Sequence, residues 1–150
     1  MNALQLLKKD HATVKEFFTQ FGQAGDRAYQ KKQGIFEKIH CELEAHAAVE
    51  EEVLYPAVKQ IRSEEVKDLV REATEEHKVV KTLLAEIADM SAQEEQYDAK
   101  VTVLKESVEH HVKEEEGEMF PAATKHLSTE RLDALGTEMA TRKEALTAQE

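Results

Sequence analysis

The sequence predicts an all-α fold, namely an up-down-up-down four-helix bundle with an additional C-terminal helix. Gly and Pro are scarce, with 5 and 2 residues among 150, and charged residues make up 34% of the chain, which favours long helices with short connections. Apolar residues recur at steps of three and four, as they do along one face of a helix. The chain also repeats itself, so we infer that a pair of helices is duplicated.

Two pairs of similar stretches define the repeat. Residues 10–18, DHATVKEFF, align with residues 76–84, EHKVVKTLL. Residues 46–56, HAAVEEEVLYP, align with residues 111–121, HVKEEEGEMFP, at nearly the same offset. Each half therefore contains a helix with a single inward histidine, followed by a helix with the pattern His-x-x-x-Glu.

Each of the four predicted bundle helices has one inward line of residues, and each line includes one histidine. The four lines are Leu4, Leu7, His11, Val14, Phe18 and Phe21; Phe36, Ile39, Leu43, His46, Glu50, Val53 and Ala57; Val66, Val70, Ala73, His77, Val80, Leu84 and Ile87; and Val101, Leu104, Val108, His111 and Glu115. This spacing is typical of helices packed at about 20° in a bundle. Short connections make sequential helices antiparallel.

The connections and the end of the chain follow from turn and cap residues. Gly22 and Gly25 mark the first connection, and Ser63 is the predicted N-cap of the third helix. Ser128 or Thr129 can cap a fifth helix over 128–147 that packs outside the bundle. We expect one domain over residues 1–150, with the bundle over about 1–126 and fraying from about Ala148 onward.

Charge and hydropathy exclude several classes of partner. The net charge is -11 and no basic run is present, which argues against binding to a nucleic-acid backbone or to an anionic membrane surface. No apolar run approaches a membrane span, and no signal-peptide core precedes the first charges. Cys41 is the single cysteine and cannot form an internal disulfide. The expectation is a soluble, cytoplasmic protein.

Six polar residues on these apolar lines predict a metal site. A His and a Glu four residues apart project from the same helix face, so both can reach one point in the bundle interior. Buried carboxylates without compensation are costly, and bound metal supplies that compensation. The predicted ligands are His11, His46, Glu50, His77, His111 and Glu115. Imidazole and carboxylate donors suit Fe, Mn or Zn, and two bridging glutamates can hold two ions with positions left for an oxo or hydroxo bridge and small ligands.

Each residue also has an interpretation without metal. A single histidine on an apolar line is more often a hydrogen-bonded core residue, and only the repeated set makes metal binding the preferred interpretation. Glu118 aligns with Val53 and falls on the inward line, where it could be a further ligand, a carboxylate that orients a histidine, or a solvated end residue. The remaining glutamates at 50–52 and 114–116 are predicted to be mostly solvated. Pro56 and Pro121 are expected to bend the helix beyond the site.

On these residues the sequence resembles the hemerythrin-like family, also called HHE cation-binding domains. The resemblance covers residues 4 to about 125 and rests on H-HxxxE-H-HxxxE with the endings EE..LYP and EE..MFP. It implies a four-helix bundle with a non-haem di-iron centre, with the six residues above as iron ligands and Glu50 and Glu115 as bridges. Oxygen-carrying hemerythrins have a fifth histidine on the third helix, whereas Ala73 and Lys81 stand four residues from His77. One fewer protein ligand leaves iron positions open to peroxide or nitric oxide.

Three hypotheses for function follow. The first is a di-iron protein that binds or reacts with dioxygen, hydrogen peroxide or nitric oxide, with catalase-like or peroxidase-like activity as its enzymatic form. The second is a module for iron or oxygen sensing, or for metal storage or buffering, without turnover. The third is a helical interaction protein whose His/Glu set binds metal only adventitiously.

Overall fold

The structure is a computed structural model that describes residues 1–148, and these residues are almost entirely helical. The α-helices are α1 (Ala3–Gln23), α2 (Tyr29–Val49), α3 (Tyr55–Lys59), α4 (Glu64–Ala88), α5 (Tyr97–Glu114), α6 (Phe120–His126) and α7 (Thr129–Thr147). One π-helical segment, Glu50–Leu54, joins α2 to α3, and a second, Glu115–Met119, joins α5 to α6. Two of the four bundle helices are therefore continuous runs that contain a π-helical turn.

The helix starts follow local capping chemistry. The Asn2 side chain caps α1 by accepting a hydrogen bond from the Gln5 backbone N–H. The Gln5 side-chain oxygen in turn accepts a hydrogen bond from the Asn2 backbone N–H. Ser63 caps α4 and Ser128 caps α7, as predicted, each through its hydroxyl oxygen. These caps satisfy backbone N–H groups that have no partner inside the helix.

Both π-helical segments begin at a glutamate of the inward lines and end directly before an aromatic-Pro pair. The Tyr55 backbone N–H donates to the Glu50 carbonyl, and the Phe120 N–H donates to the Glu115 carbonyl, five residues back in each case. Pro56 and Pro121 have no N–H, so the α-helical ladder cannot be continued unbroken at this point. The sequence predicts that the prolines bend the helix beyond each site. The structure instead has a wider helical turn that begins at the glutamate and precedes the proline.

The four bundle helices enclose two apolar clusters with a polar layer between them. The first cluster holds Leu4 and Leu7 of α1, residues of both π-helical segments, and the inner face of α7. The second cluster holds Val14 and Phe18 of α1 with apolar residues of α2, α4 and α5. The six predicted ligands are all buried in the layer between these clusters. The all-α four-helix bundle with a C-terminal helix is therefore confirmed.

The C-terminal helix α7 packs on α1 and α2 outside the bundle. Leu132, Leu135 and Met139 are buried, as predicted for its apolar face. Gly136 allows the closest approach, because a Cβ atom there would lie 2.4 Å from the Met1 carbonyl oxygen. The predicted fraying concerns mainly residues 149 and 150, which lie outside the described residues. Across residues 1–148, every helix is too short or too polar to span a membrane.

Candidate metal centre

The inner set comprises the six buried side chains His11, His46, Glu50, His77, His111 and Glu115, and it forms two overlapping groups of possible ligands. The first half-site is His11, His46 and Glu115, and the second half-site is Glu50, His77, His111 and Glu115. Within each group the ligand atoms lie within 4.8 Å of one another. The structure thus brings together every residue that the sequence predicted as a metal ligand, and Glu115 belongs to both groups.

The two glutamates lie between the histidines of the two half-sites. The Glu50 Oε1 atom is 3.1 Å from His46 Nε2 and also 3.1 Å from His77 Nε2. Glu115 has Oε1 at 3.2 Å from His11 Nε2 and Oε2 at 3.3 Å from His111 Nε2. Each carboxylate therefore contacts histidines of both half-sites.

All four imidazoles point Nε2 inward and Nδ1 outward. Each Nδ1 donates to one of four outer carboxylates: His11 to Glu116 at 2.6 Å, His46 to Asp10 at 3.0 Å, His77 to Glu51 at 2.9 Å and His111 to Glu76 at 2.7 Å. A proton on Nδ1 leaves the Nε2 lone pair free for a metal, and a carboxylate partner fixes the ring orientation and makes the imidazole a stronger donor. We refer to Asp10, Glu51, Glu76 and Glu116 as the outer carboxylates.

Sequence reasoning missed the contacts of the outer carboxylates, although the repeat contained a signal for them. Asp10 and Glu76 directly precede the first histidine of each half, and Glu51 and Glu116 directly follow the inner glutamates. Glu51 and Glu116 are partly exposed, yet each accepts a hydrogen bond from a histidine of another helix. The interpretation of the acidic runs as mostly solvated side chains therefore missed this role.

Tyr55 is a further residue of the centre that the sequence analysis did not identify. Its hydroxyl donates to Glu115 Oε2 at 2.6 Å and lies 3.2 Å from His77 Nε2. Burial, together with the negative charges of Glu50 and Glu115, raises the pKa of Tyr55 far above its ordinary value. The π-helical turn places this ring inward, and its phenol ring stacks on His77 at 5.4 Å between centroids.

Glu118 does not join the centre. The sequence alignment placed it on the inward line three residues after Glu115, but the second π-helical segment turns it to the surface, where it is exposed. Met119 is the buried residue at this turn instead. His40, His110 and His126 also lie outside the inner set, and His110 contacts the outer carboxylate Glu76.

The buried polar atoms of this layer fit a cation better than they fit one another. Within residues 1–148, four buried atoms make no hydrogen bond of acceptable geometry, although two of them lie 3.2 Å apart: His11 Nε2, His46 Nε2, Glu50 Oε2 and Glu115 Oε1. His77 Nε2 and His111 Nε2 lie only 3.2 Å apart, so two lone pairs meet there unless a proton or a metal lies between them. Buried polar atoms are nearly always satisfied, so the donor set fits bound metal.

The electrostatics of the layer also favour positive charge. Burial alone would lower the pKa of His46, but the Glu50 and Asp10 carboxylates and Glu115 outweigh it and raise the pKa to about 10. For His111, burial is likewise outweighed by hydrogen bonds to Glu115, Glu50 and Glu76, and the pKa rises to about 12. The same histidine contacts hold the pKa of Glu50 well below its usual value despite its burial.

Beside the inner set lies a cavity of about 30 Å³ that the four histidines help to line. Its other walls are mainly apolar side chains, including Val14, Leu43, Val80, Leu84, Val108 and Val112. By the criterion that one water needs roughly 10–15 Å³ of such space, the cavity has room for about two water-sized molecules. Only a very small ligand fits there without movement of the walls.

Comparison with known proteins identifies the family. Residues 2–123 match the hemerythrin HHE cation-binding domain. A protein named DNA nickase from Nostoc sp. is 35% identical over 139 residues, which are 92% of this chain and 38% of that protein. An uncharacterised hemerythrin-like protein of Schizosaccharomyces pombe is 30% identical over 122 residues, which are 81% of this chain and 59% of that protein. The chain thus spans less than two thirds of either relative.

A solved structure has the same fold. The crystal structure of a hemerythrin HHE cation-binding domain-containing protein from Mycobacterium kansasii superposes with a TM-score of 0.86 at 26% identity, covering 99% of this chain and 89% of that chain. The buried cluster of histidines and glutamates in the present chain suggests metal binding, as the family description does. On the match over residues 2–123, this chain belongs to the hemerythrin HHE cation-binding domain family.

Proposed function

We propose that the chain is a non-haem di-iron protein that binds or reacts with a small oxidant: dioxygen, hydrogen peroxide or nitric oxide. The proposed iron ligands are the six residues of the inner set, with Glu50 and Glu115 bridging the two half-sites. The observation that carries the proposal is the convergence of four Nε2 atoms on two shared carboxylates.

The donor types and their number support two ions of this class. Imidazole and carboxylate donors suit iron, and also manganese or zinc, while helical bundles with facing glutamates hold pairs of metal ions. The four outer carboxylates and the two inner glutamates surround four imidazoles, so bound divalent or trivalent cations would offset a large concentration of negative charge. Family membership supports cation binding in general, and iron is our choice among the cations that these donors accept.

The side chains of this protein have defined tasks in that proposal. Iron bound there would supply the redox change and the Lewis acidity that reaction with an oxidant requires. The outer carboxylates hold each imidazole with its proton on Nδ1, so that all four Nε2 atoms remain available. The Tyr55 hydroxyl keeps its proton and donates it in a hydrogen bond to Glu115 Oε2 at 2.6 Å. A proton is thus held next to a proposed ligand of the second half-site.

The cavity supports a small oxidant as the ligand. Its volume of about 30 Å³ accommodates a two-atom or four-atom molecule, and most of its walls beside the histidines are valine and leucine side chains. The inner set also has one histidine fewer than the oxygen-carrying pattern, since Ala73 and Lys81 flank His77 at four residues. We therefore propose that reaction with the oxidant, more than its reversible carriage, is the function.

Cutting of DNA is not part of this proposal, although one relative is named DNA nickase. The chain covers 38% of that protein, and the name does not say which part of that protein acts on DNA. A net charge of -11 is also unfavourable for contact with a phosphate backbone. We extend to this chain only the metal-binding character that the family description states.

Metal analysis of the purified protein, combined with its visible and near-ultraviolet spectrum before and after addition of peroxide, tests the proposal. We expect about two iron ions per chain, as in other carboxylate-bridged bundles, and absorption bands of a bridged iron pair that change with peroxide. His46→Leu should abolish the bands, whereas His40→Leu on the same helix should leave them unchanged, because within residues 1–148 His40 lies outside both groups of possible ligands and pairs with Glu44.

The outcomes separate the candidate functions. Peroxide consumption faster than by the same concentration of free iron supports the oxidant proposal. Two tightly bound ions with no response to peroxide, nitric oxide or dioxygen would contradict it and favour metal storage or sensing. If His46→Leu binds as much metal as the wild type, the proposed ligand set is wrong.

A further inference from the structure

Two successive contacts connect the C-terminal helix α7 to the first half-site. Lys143 of α7 donates from Nζ to Asp10 Oδ1 at 2.5 Å, and the other oxygen, Oδ2, accepts from His46 Nδ1 at 3.0 Å. Lys143 also donates to Glu42 at 2.6 Å. One lysine outside the four-helix bundle is thus separated from a proposed iron ligand by a single carboxylate.

Asp10 is buried, and this burial makes its partners important. Its side chain is only 4% exposed, compared with 23% for Lys143 and 16% for Glu42. A buried carboxylate without a cationic partner is costly, and removing one partner of such a pair leaves an uncompensated charge. The two Asp10 oxygens are divided between Lys143 and His46, so the lysine also fixes the direction from which the carboxylate meets the imidazole.

Within residues 1–148, the equivalent position of the second half-site has no ion pair to a lysine. Glu76, the counterpart of Asp10, accepts from His111 Nδ1, and its charged neighbours include Glu72, His110 and Glu114. Oxygen atoms of Glu72, Glu76 and Glu114 and a ring nitrogen of His110 lie within 4.8 Å of one another, so carboxylates surround this position. The two His-x-x-x-Glu histidines, His46 and His111, therefore have different surroundings. A lysine lies beside the outer carboxylate of His46, whereas further carboxylates lie beside that of His111.

We propose that Lys143 is a positioning residue for the first half-site, where it holds Asp10 against His46 and thereby strengthens metal binding at that half-site alone. This inference rests on the proposed function in so far as it concerns bound metal. It assigns to α7, which contributes no residue to the inner set, a direct influence on one of the two metal positions.

Nitrogen-15 NMR of histidine-labelled protein tests the positioning directly, in the metal-free and zinc-loaded forms. In wild-type protein we expect a slowly exchanging Nδ1 proton on His46, because it is buried and hydrogen-bonded to Asp10. Lys143→Met should shift or broaden this signal and leave those of His77 and His111 unchanged, and Lys143→Arg should restore it. If Lys143→Met does not fold, Lys143→Gln removes the charge while it keeps a hydrogen-bond donor.

Arg142→Met is the matched control. Arg142 is the neighbouring residue on α7, and it pairs with Glu52, which within residues 1–148 forms no ion pair with an inner histidine. The same loss of one positive charge from the same helix should therefore leave the His46 signal unchanged. If Arg142→Met has the same effect as Lys143→Met, the effect is general to α7 and the proposal is overturned.

Zinc titration of the metal-free protein supplies the second measurement. Loss of an outer partner typically costs 10–100-fold in metal affinity, and for Lys143→Met we expect about tenfold in one of the two zinc equivalents, since it acts through Asp10. Equal weakening of both equivalents, or of neither, contradicts the proposal.

Failure of the proposed function is recognised separately. If the wild-type chain binds no zinc, iron or manganese, the metal centre is wrong. The NMR comparison in the metal-free protein still decides whether Lys143 positions Asp10 and His46. An unchanged His46 signal in Lys143→Met, with normal zinc binding by the wild type, overturns the present inference and leaves the proposed function intact.

Discussion

In the first half-site the aromatic ring beside the histidines is Phe120, and in the second it is Tyr55. The Phe120 ring is parallel to His11 at 6.0 Å between centroids, and the Tyr55 ring stacks on His77 at 5.4 Å. The two rings occupy equivalent positions of the repeat, directly after a π-helical segment. Only Tyr55 carries a hydroxyl, and it donates to Glu115.

The layer outside the histidines differs as well. Asp10 of the first half-site is buried beneath α7 and pairs with Lys143, whereas Glu76 of the second half-site lies near the surface beside His110. The repeat has therefore preserved the six inner residues and varied their surroundings. The two proposed metal positions, which use the same types of donor, are consequently expected to differ in affinity and reactivity, which the following substitutions test.

The largest effect should come from Glu115, which the two half-sites share. Glu115→Gln keeps the shape of the side chain but removes the charge that both positions use, so we expect loss of both metal equivalents in metal analysis. Glu118→Gln, in the same π-helical segment but exposed, is the control and should retain normal metal content. Retention of one full equivalent by Glu115→Gln would show that the half-sites are less dependent on this residue than we propose.

The contact between α7 and the rest of the fold is tested by Gly136→Ala. A Cβ at this position would lie 2.4 Å from the Met1 carbonyl oxygen and 2.8 Å from the Ala3 nitrogen, which are backbone atoms. We expect a loss of about 3 kcal/mol in the free energy of unfolding, the upper end of the range for overpacking, measured by urea denaturation. Gly34→Ala in α2 is the control, since no atom lies within 4 Å of the added Cβ, and it should stabilise by up to about 1 kcal/mol.

Tyr55→Phe would make the two aromatic positions alike. The substitution removes the hydroxyl that donates to Glu115 and leaves a buried carboxylate oxygen with one partner fewer. We expect a cost of about 1–2 kcal/mol in the unfolding free energy of the metal-free protein, within the range for an unsatisfied buried group. Zinc affinity should change more at one equivalent than at the other, and an equal change at both would argue against a distinct second half-site.

The reciprocal substitution, Phe120→Tyr, should sharpen the same comparison. It introduces a hydroxyl beside His11. In zinc titration, the affinity of the first half-site should therefore move towards that of the second.

The smallest effect is expected at Lys81. It donates to Glu51, the outer carboxylate of His77, at 3.0 Å, but both side chains are substantially exposed. Exposed pairs contribute roughly 0–1 kcal/mol, so Lys81→Met should change the unfolding free energy by less than about 1 kcal/mol. Among residues 1–148, the equivalent Lys15 forms no ion pair with Glu116, so Lys15→Met is the matched control.

The sequence was sufficient to predict the bundle and the inner set because both depend on local periodicity. Apolar residues at steps of three and four identify the buried face, and a His or Glu on that face is conspicuous in each half. The outer carboxylates depend on contacts between helices, such as that of Asp10 in α1 with His46 in α2, and periodicity contains no information on those contacts. The contact of Lys143 with Asp10 depends in addition on how α7 docks.

The position of Glu118 shows a different limit. Its predicted inward direction assumed 3.6 residues per turn throughout the fourth bundle helix. The choice between an α-helical and a π-helical hydrogen bond at Glu115 is a difference of one acceptor along the backbone, and it changes the direction of every side chain in the next turn. Two sequence features accompany this change in both segments, namely the buried glutamate at the start and the aromatic-Pro pair directly after the end.

The π-helical turns also contain information on the history of the chain. Each one accommodates a single residue more than an α-helical turn would, at the same position in both halves, between a buried glutamate and an aromatic-Pro pair. One insertion in an ancestral two-helix unit, followed by duplication and fusion, accounts for both turns, whereas the opposite order requires the same insertion twice. On this account the wide turn is older than the duplication, and the divergence of Tyr55 from Phe120 came after it.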